Sequence, residues 1–243
     1  GGASVKDAAA IKNVAVVLET EKFTECLIVV SAMGKTTNAL EKVVQAYFEE
    51  KNYADEIENI KKNHLEITTE LFYADHPVLA EISAFFDDIN SFLQRNKSPN
   101  YNFVYDQVVG SGEMISSKIL SEYLNDIQFK NNWLDAREYI KTDSQYREGQ
   151  VNWEQTEEKI KNLESLNCYV TQGFIGSDQN NCTVTLSREG SDYSAAIFAY
   201  CLNAEYLTIW KDVPGVMTGD PRKFENVDLL SGMVGDEPDQ QAP

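Results

Sequence analysis

Basic residues are scarce in this chain, with 21 Lys and Arg against 39 Asp and Glu for a formal charge of −18 over 243 residues. A phosphate backbone or an anionic membrane attracts Lys and Arg, so this balance argues against nucleic-acid and membrane partners and favours small-molecule chemistry. The four cysteines, Cys26, Cys168, Cys182 and Cys201, form no CxxC pair. The two histidines, His64 and His76, stand far from them, so the spacing of a structural zinc site is missing and no metal ligands are assigned. Three of the four lie in or beside apolar runs, so the cysteines read as small buried residues in a reducing cytosol. No charged leader precedes an apolar stretch and no apolar run reaches about 18 residues, so neither a signal peptide nor a membrane span is expected, and the sequence reads as cytoplasmic. Internal repeats, low-complexity linkers, GxGxxG and Walker A motifs are missing as well.

The length suffices for one large α/β domain or two small ones. Four short apolar runs read as buried strands: Leu27–Val30, Trp133–Ala136, Cys168–Thr171 and Tyr206–Trp210. Between them Ile115, Ile119, Leu120, Tyr123 and Leu124 repeat at helical spacing, and residues 38–92 carry apolar positions at Leu40, Val43, Val44, Tyr47, Ile57, Ile60, Ile82, Phe85, Phe86 and Ile89, with a break near His76-Pro77. Alternating strands and helices predict an α/β fold, a three-layer αβα sandwich with a mainly parallel central sheet. One domain over residues 1–234 with a polar tail at 235–243 is the simplest division. His64 on the helical layer reads as a packed or surface residue with no role.

Five polar clusters fall between these elements. Gly1-Gly2-Ala3-Ser4-Val5 precedes a helical stretch, where backbone N–H groups and a helix dipole can receive a phosphate; an ordinary tight turn accounts for it equally well. Ser31-Ala32-Met33-Gly34-Lys35-Thr36-Thr37-Asn38 follows the first strand, and either bonds substrate oxygens or simply caps a helix through Thr37 or Asn38. Val108-Val109-Gly110-Ser111-Gly112-Glu113 reads as a strand-to-helix turn whose acid complements the helix dipole or binds an ammonium group. Thr185 to Ala196 sets Arg188 and Asp192 near a helix start, a cation for a carboxylate beside an acid, with an N-cap and a surface Arg as the plain account. Trp210 to Arg222 holds Asp212 and Arg222 in two successive turns, where Arg222 presents itself to phosphates or merely ends the loop.

Taken in order, the clusters resemble the aspartate kinase branch of the amino acid kinase family. The matches are Gly1 to Val5, Ser31 to Gly34, Gly112-Glu113, Thr171 to Gly176, Gly190 to Tyr193 and Ile209 to Arg222. The resemblance implies transfer of the γ-phosphate of ATP, with Mg2+, to the side-chain carboxylate of L-aspartate, opening the route to lysine, threonine and methionine, in a homo-oligomer. It implies that Arg188 grips the α-carboxylate, Glu113 the ammonium, and that Phe174, Ser31 and Thr37 line the aspartate pocket. Asp192 would organise the catalytic groups, Gly1 and Gly2 would face the transferring phosphate, and Lys211, Asp212, Met217 and Arg222 would lie along the nucleotide. The family's alternatives are a glutamate or acetylglutamate kinase, or a ligand-binding domain without activity. The chain departs from the pattern at Ala3, at Ser187 in place of a frequent Gly, and at Lys211 and Met217, where some relatives carry Thr and Tyr. The family's catalytic lysine, two residues before the first glycine, would fall outside the sequence, so truncation at both ends and weak activity of these residues alone are expected.

Overall fold

The fold is described from a computed structural model, which covers residues 1–23, 25–164, 167–187, 190–211, 215, 218, 219, 223, 224 and 226–228. By packing, the chain divides into two units, Gly1–Ile209 and Trp210–Pro243.

In the first unit, a 3-10 turn at Gly2–Val5 leads into α1 (Ala8–Glu21), whose start is set by Asp7 accepting the Ala10 N–H at 2.8 Å. Strand β1 (Cys26–Val30) follows, then five helices: α2 (Thr36–Phe48), α3 (Ala54–Leu71), α4 (Val78–Arg95), α5 (Tyr101–Val109) and α6 (Ser111–Asp126). After them come β2 (Asn132–Trp133), α7 (Ala136–Tyr139), α8 (Trp153–Lys161), β3 (Cys168–Gln172), β4 (Ile175–Ser177), β5 (Thr183–Thr185) and α9 (Gly190–Cys201). β1, β3 and β2 form a parallel sheet in that order, with Cys26 level with Cys168 and Val30 level with Gln172. β4 and β5 pair as an antiparallel hairpin.

The sheet is covered on both faces, as the sequence predicts, and β1 makes this explicit. Successive strand side chains point to opposite faces. Ile28 and Val30 pack into the large core with α1 to α6, whereas Leu27 and Val29 pack against Ile160, Ile197 and Phe198 of α8 and α9. The helical layer follows its periodicity: α4 buries Val78, Ile82, Phe86, Ile89 and Leu93 in steps of three and four. The expected interruption at His76-Pro77 is where α4 begins.

Three sequence readings are corrected. Val108-Val109 ends helix α5 and is not a strand; Tyr101, Val104, Tyr105 and Val108 keep the helical period, and Asn100 accepts the Phe103 N–H at 3.2 Å as the cap. The second strand stops at Trp133, because Asp135 accepts the Arg137 N–H at 3.0 Å and starts α7. Residues 206–210 form no strand: Tyr206 is 80% exposed, and an apolar run needs a ladder partner to become one.

In the second unit, the Thr218 N–H donates to Asp228 O and the Asp228 N–H to Thr218 Oγ1, both at 2.9 Å.

Candidate functional site

The carboxyl end of β1 is where the chain gathers its polar turns. Gly34 N–H donates to Gly2 O at 3.0 Å, tying the N-terminal turn to the loop after β1. The two backbones lie so close that a Cβ at Gly2 would sit 2.7 Å from Ala32 O, so no side chain fits there without displacing the loop. Gly34 itself has φ +53.

Helix α6 brings Glu113 in from below this loop. Glu113 Oε1 accepts the Ala32 N–H at 3.2 Å, while the buried Oε2 meets no hydrogen-bond partner among the described residues. Burial without a compensating cation pushes its pKa up from 4.5 to about 8. Glu113 lies in the first turn of α6, as its reading as a dipole complement expects, and an oxygen without a donor among the described residues is what an ammonium receptor offers. Ser116, one turn along α6, donates to Ser31 O at 2.5 Å, fixing the loop's first peptide.

The third wall comes from the turn after β3. Gly173 N–H donates to Val30 O at 2.8 Å, so the turn continues the register of β1. Phe174 has φ +68, a conformation that strains a bulky side chain by about 1–2 kcal/mol. It is held there by Ser194 Oγ, which accepts the Phe174 N–H at 2.9 Å, and by Leu186 N–H donating to Phe174 O at 2.8 Å. Strain of this kind persists where surrounding contacts over-determine it. α9 then starts at Gly190 and sets Asp192 in its first turn, and Ser31 Oγ donates to Ser191 Oγ at 2.9 Å. A Cβ on Gly173 would lie 2.5 Å from Ser191 Cβ, so α9 abuts the turn directly.

The expected residues Gly2, Ser31, Glu113 and Phe174 are thus joined through adjacent loops, with Gly1 beside Gly2 and half-buried Asp192 beside Ser191. Thr37 lies in the first turn of α2, half-buried. The plain account of that cluster, a cap by Thr37 or Asn38, is not found: the helix starts at Thr36 and no side chain caps it. Lys211 is exposed and belongs to the second unit. Arg188, Asp212, Met217 and Arg222 lie outside the described residues. Sequence reasoning missed the serines that brace the loops, Ser116, Ser191 and Ser194, since a lone serine carries no signal of its partner. It also set aside His64, which is buried against Thr36.

The amino acid kinase family model matches residues 1–242. The chain belongs to the amino acid kinase family. Within that family it is similar to bifunctional aspartokinase/homoserine dehydrogenase 1 of Arabidopsis thaliana, 30% identical over 95% of this chain and 26% of the relative. It is 30% identical to lysine-sensitive aspartokinase 3 of Escherichia coli over 91% of this chain and 50% of that protein. A crystal structure of E. coli aspartokinase III in complex with aspartate and ADP superposes with a TM-score of 0.83 at 27% identity, covering 95% of this chain and 52% of the other. The chain therefore spans between about a quarter and a half of the length of these relatives.

Proposed function

We propose that this amino acid kinase phosphorylates the side-chain carboxylate of L-aspartate with ATP, giving 4-phospho-L-aspartate, within a cytoplasmic, oligomeric protein whose catalytic domain includes residues 1–234. The observation that carries the reading is the buried carboxylate of Glu113, whose second oxygen has no donor among the described residues. A free α-ammonium supplies that donor, which favours a free amino acid over an N-acetylated one. The names of the relatives, and the aspartate and ADP in the E. coli structure, support the same substrates.

The chemistry asks for positioning more than covalent work, because charge spreads over the transferring phosphoryl oxygens. Glu113 would hold the ammonium, Arg188 the α-carboxylate, and Ser31, Thr37 and Phe174 would line the pocket. Gly1 and Gly2 would give the phosphate close access to backbone N–H groups, Asp192 would orient the reacting groups, and Lys211, Asp212, Met217 and Arg222 would flank the nucleotide. Among the described residues no three carboxylate, thiol or imidazole groups converge to hold a metal. Mg2+ fits this arrangement only as a partner of the nucleotide phosphates, its usual mode.

The test is an acylphosphate-trapping assay of the full natural chain with ATP and aspartate, glutamate or N-acetylglutamate. Turnover of aspartate at least a hundredfold above the other two is expected; preference for either alternative refutes the reading.

A further inference from the structure

Helix α3 buries one stripe, Ile57, Ile60, His64 and Thr68, and the third position is an imidazole where an aliphatic side chain would fill the layer without desolvation cost. His64 is 3% exposed and tilts against Phe86 with ring centroids 5.4 Å apart. Its Nδ1 lies 2.8 Å from Ile60 O, a carbonyl that only accepts, so Nδ1 carries the hydrogen. Burial lowers the ring's pKa from its ordinary value, so at neutral pH Nε2 is left as an acceptor. That nitrogen faces Thr36 Oγ1 at 3.2 Å, across 28 residues of chain.

Thr36 is the first residue of α2 and closes the loop after β1: its N–H and its hydroxyl both reach Met33 O, at 2.9 and 2.7 Å. The hydroxyl has one hydrogen and two acceptors, Met33 O and His64 Nε2. Thr36 is therefore shared between the loop and the helical layer, and nothing else in that stripe of α3 reaches the loop through a polar atom.

We infer that His64 is a positioning residue: through Thr36 it sets the height of the Met33–Thr36 turn, and with it Ala32 against Glu113 and Thr37 in the pocket. The inference rests on the proposed substrate site, since it assigns to that site a control of acceptor affinity. Removing the imidazole cuts the link from α3 to the turn that sets Thr37 in the pocket. Loss of acceptor affinity should then exceed loss of nucleotide affinity.

Three variants of the full natural chain test this. His64→Leu, similar in size, should raise KM for aspartate at least fivefold and KM for ATP by a smaller factor, since Gly34 of the same turn also holds Gly2. His64→Gln, which can still bond Thr36, should stay within twofold of wild type. Thr36→Val, which also deletes the bond to Met33 O, should raise KM for aspartate at least as much as His64→Leu, and the double variant should be no worse than Thr36→Val alone. Hydrogen exchange of the peptide carrying residues 31–37, measured without substrate, should quicken at least threefold in His64→Leu and stay unchanged in His64→Gln. Multiplying effects in the double variant, equal changes in both KM values, or unaltered exchange of the loop would overturn the role. If wild type fails to use aspartate while the loop exchange responds as expected, the substrate reading fails and the positioning role stands.

Discussion

Glu113 sets the sharpest expectation at the level of single residues. Its folded pKa of about 8 lies above the ordinary 4.5, so over that interval the native state keeps a proton that the unfolded chain loses. Its contribution to stability is full below pH 4.5 and is lost as pH rises through about 8. An ammonium ligand reverses the preference by favouring the ionised form, so KM for aspartate should fall by up to tenfold per pH unit between pH 6 and 8. Glu113→Gln should flatten that profile and raise KM by about 10–100-fold, the scale of one lost charged hydrogen bond. A sloping profile in Glu113→Gln would assign the titration to another group. Ser187 has φ +72, which glycine adopts without strain, and here the departure from the family's frequent Gly has a visible cost. Ser187→Gly should raise stability by about 0.5–1 kcal/mol in denaturant melts.

Among elements, the helical hairpins were legible because their buried positions step by three and four over many turns, as α4 does. Short elements were not. Val108-Val109 carries β-formers inside a nine-residue helix, and the cap at Asn100 is the only local sign of where it starts. The apolar run at 206–210 has strand composition, but a strand exists only where another backbone pairs with it. The site was legible as far as its glycines and charged residues mark turns; the serine braces depend on which loops meet in space. The tie between α5 and β5 belongs to this hidden class. Asp106, fully buried, accepts the Thr185 N–H and the Arg147 N–H at 2.9 Å and the Thr185 hydroxyl at 2.8 Å. Burial raises its pKa to about 6, those donors opposing the rise. Asp106→Ala leaves three donors without an acceptor and should cost about 2–4 kcal/mol of stability by chemical denaturation, with little change in KM. A loss below about 1 kcal/mol would mean water replaces the carboxylate.

For the whole molecule, the acidic surface and the αβα architecture constrain the class of chemistry without naming the substrate, since one fold hosts many reactions. No helix among the described residues is long and apolar enough to cross a membrane. In the proposed reading, substrate choice rests on a few groups at the end of β1, chiefly one Glu113 oxygen that has no donor among the described residues. The most direct test compares kcat/KM for aspartate and N-acetylaspartate in the full natural chain and in Glu113→Gln. Acetylation, which removes the ammonium, should lower kcat/KM at least a hundredfold in the wild type and less than tenfold in the variant; equal use of the two acids by the wild type would contradict the account.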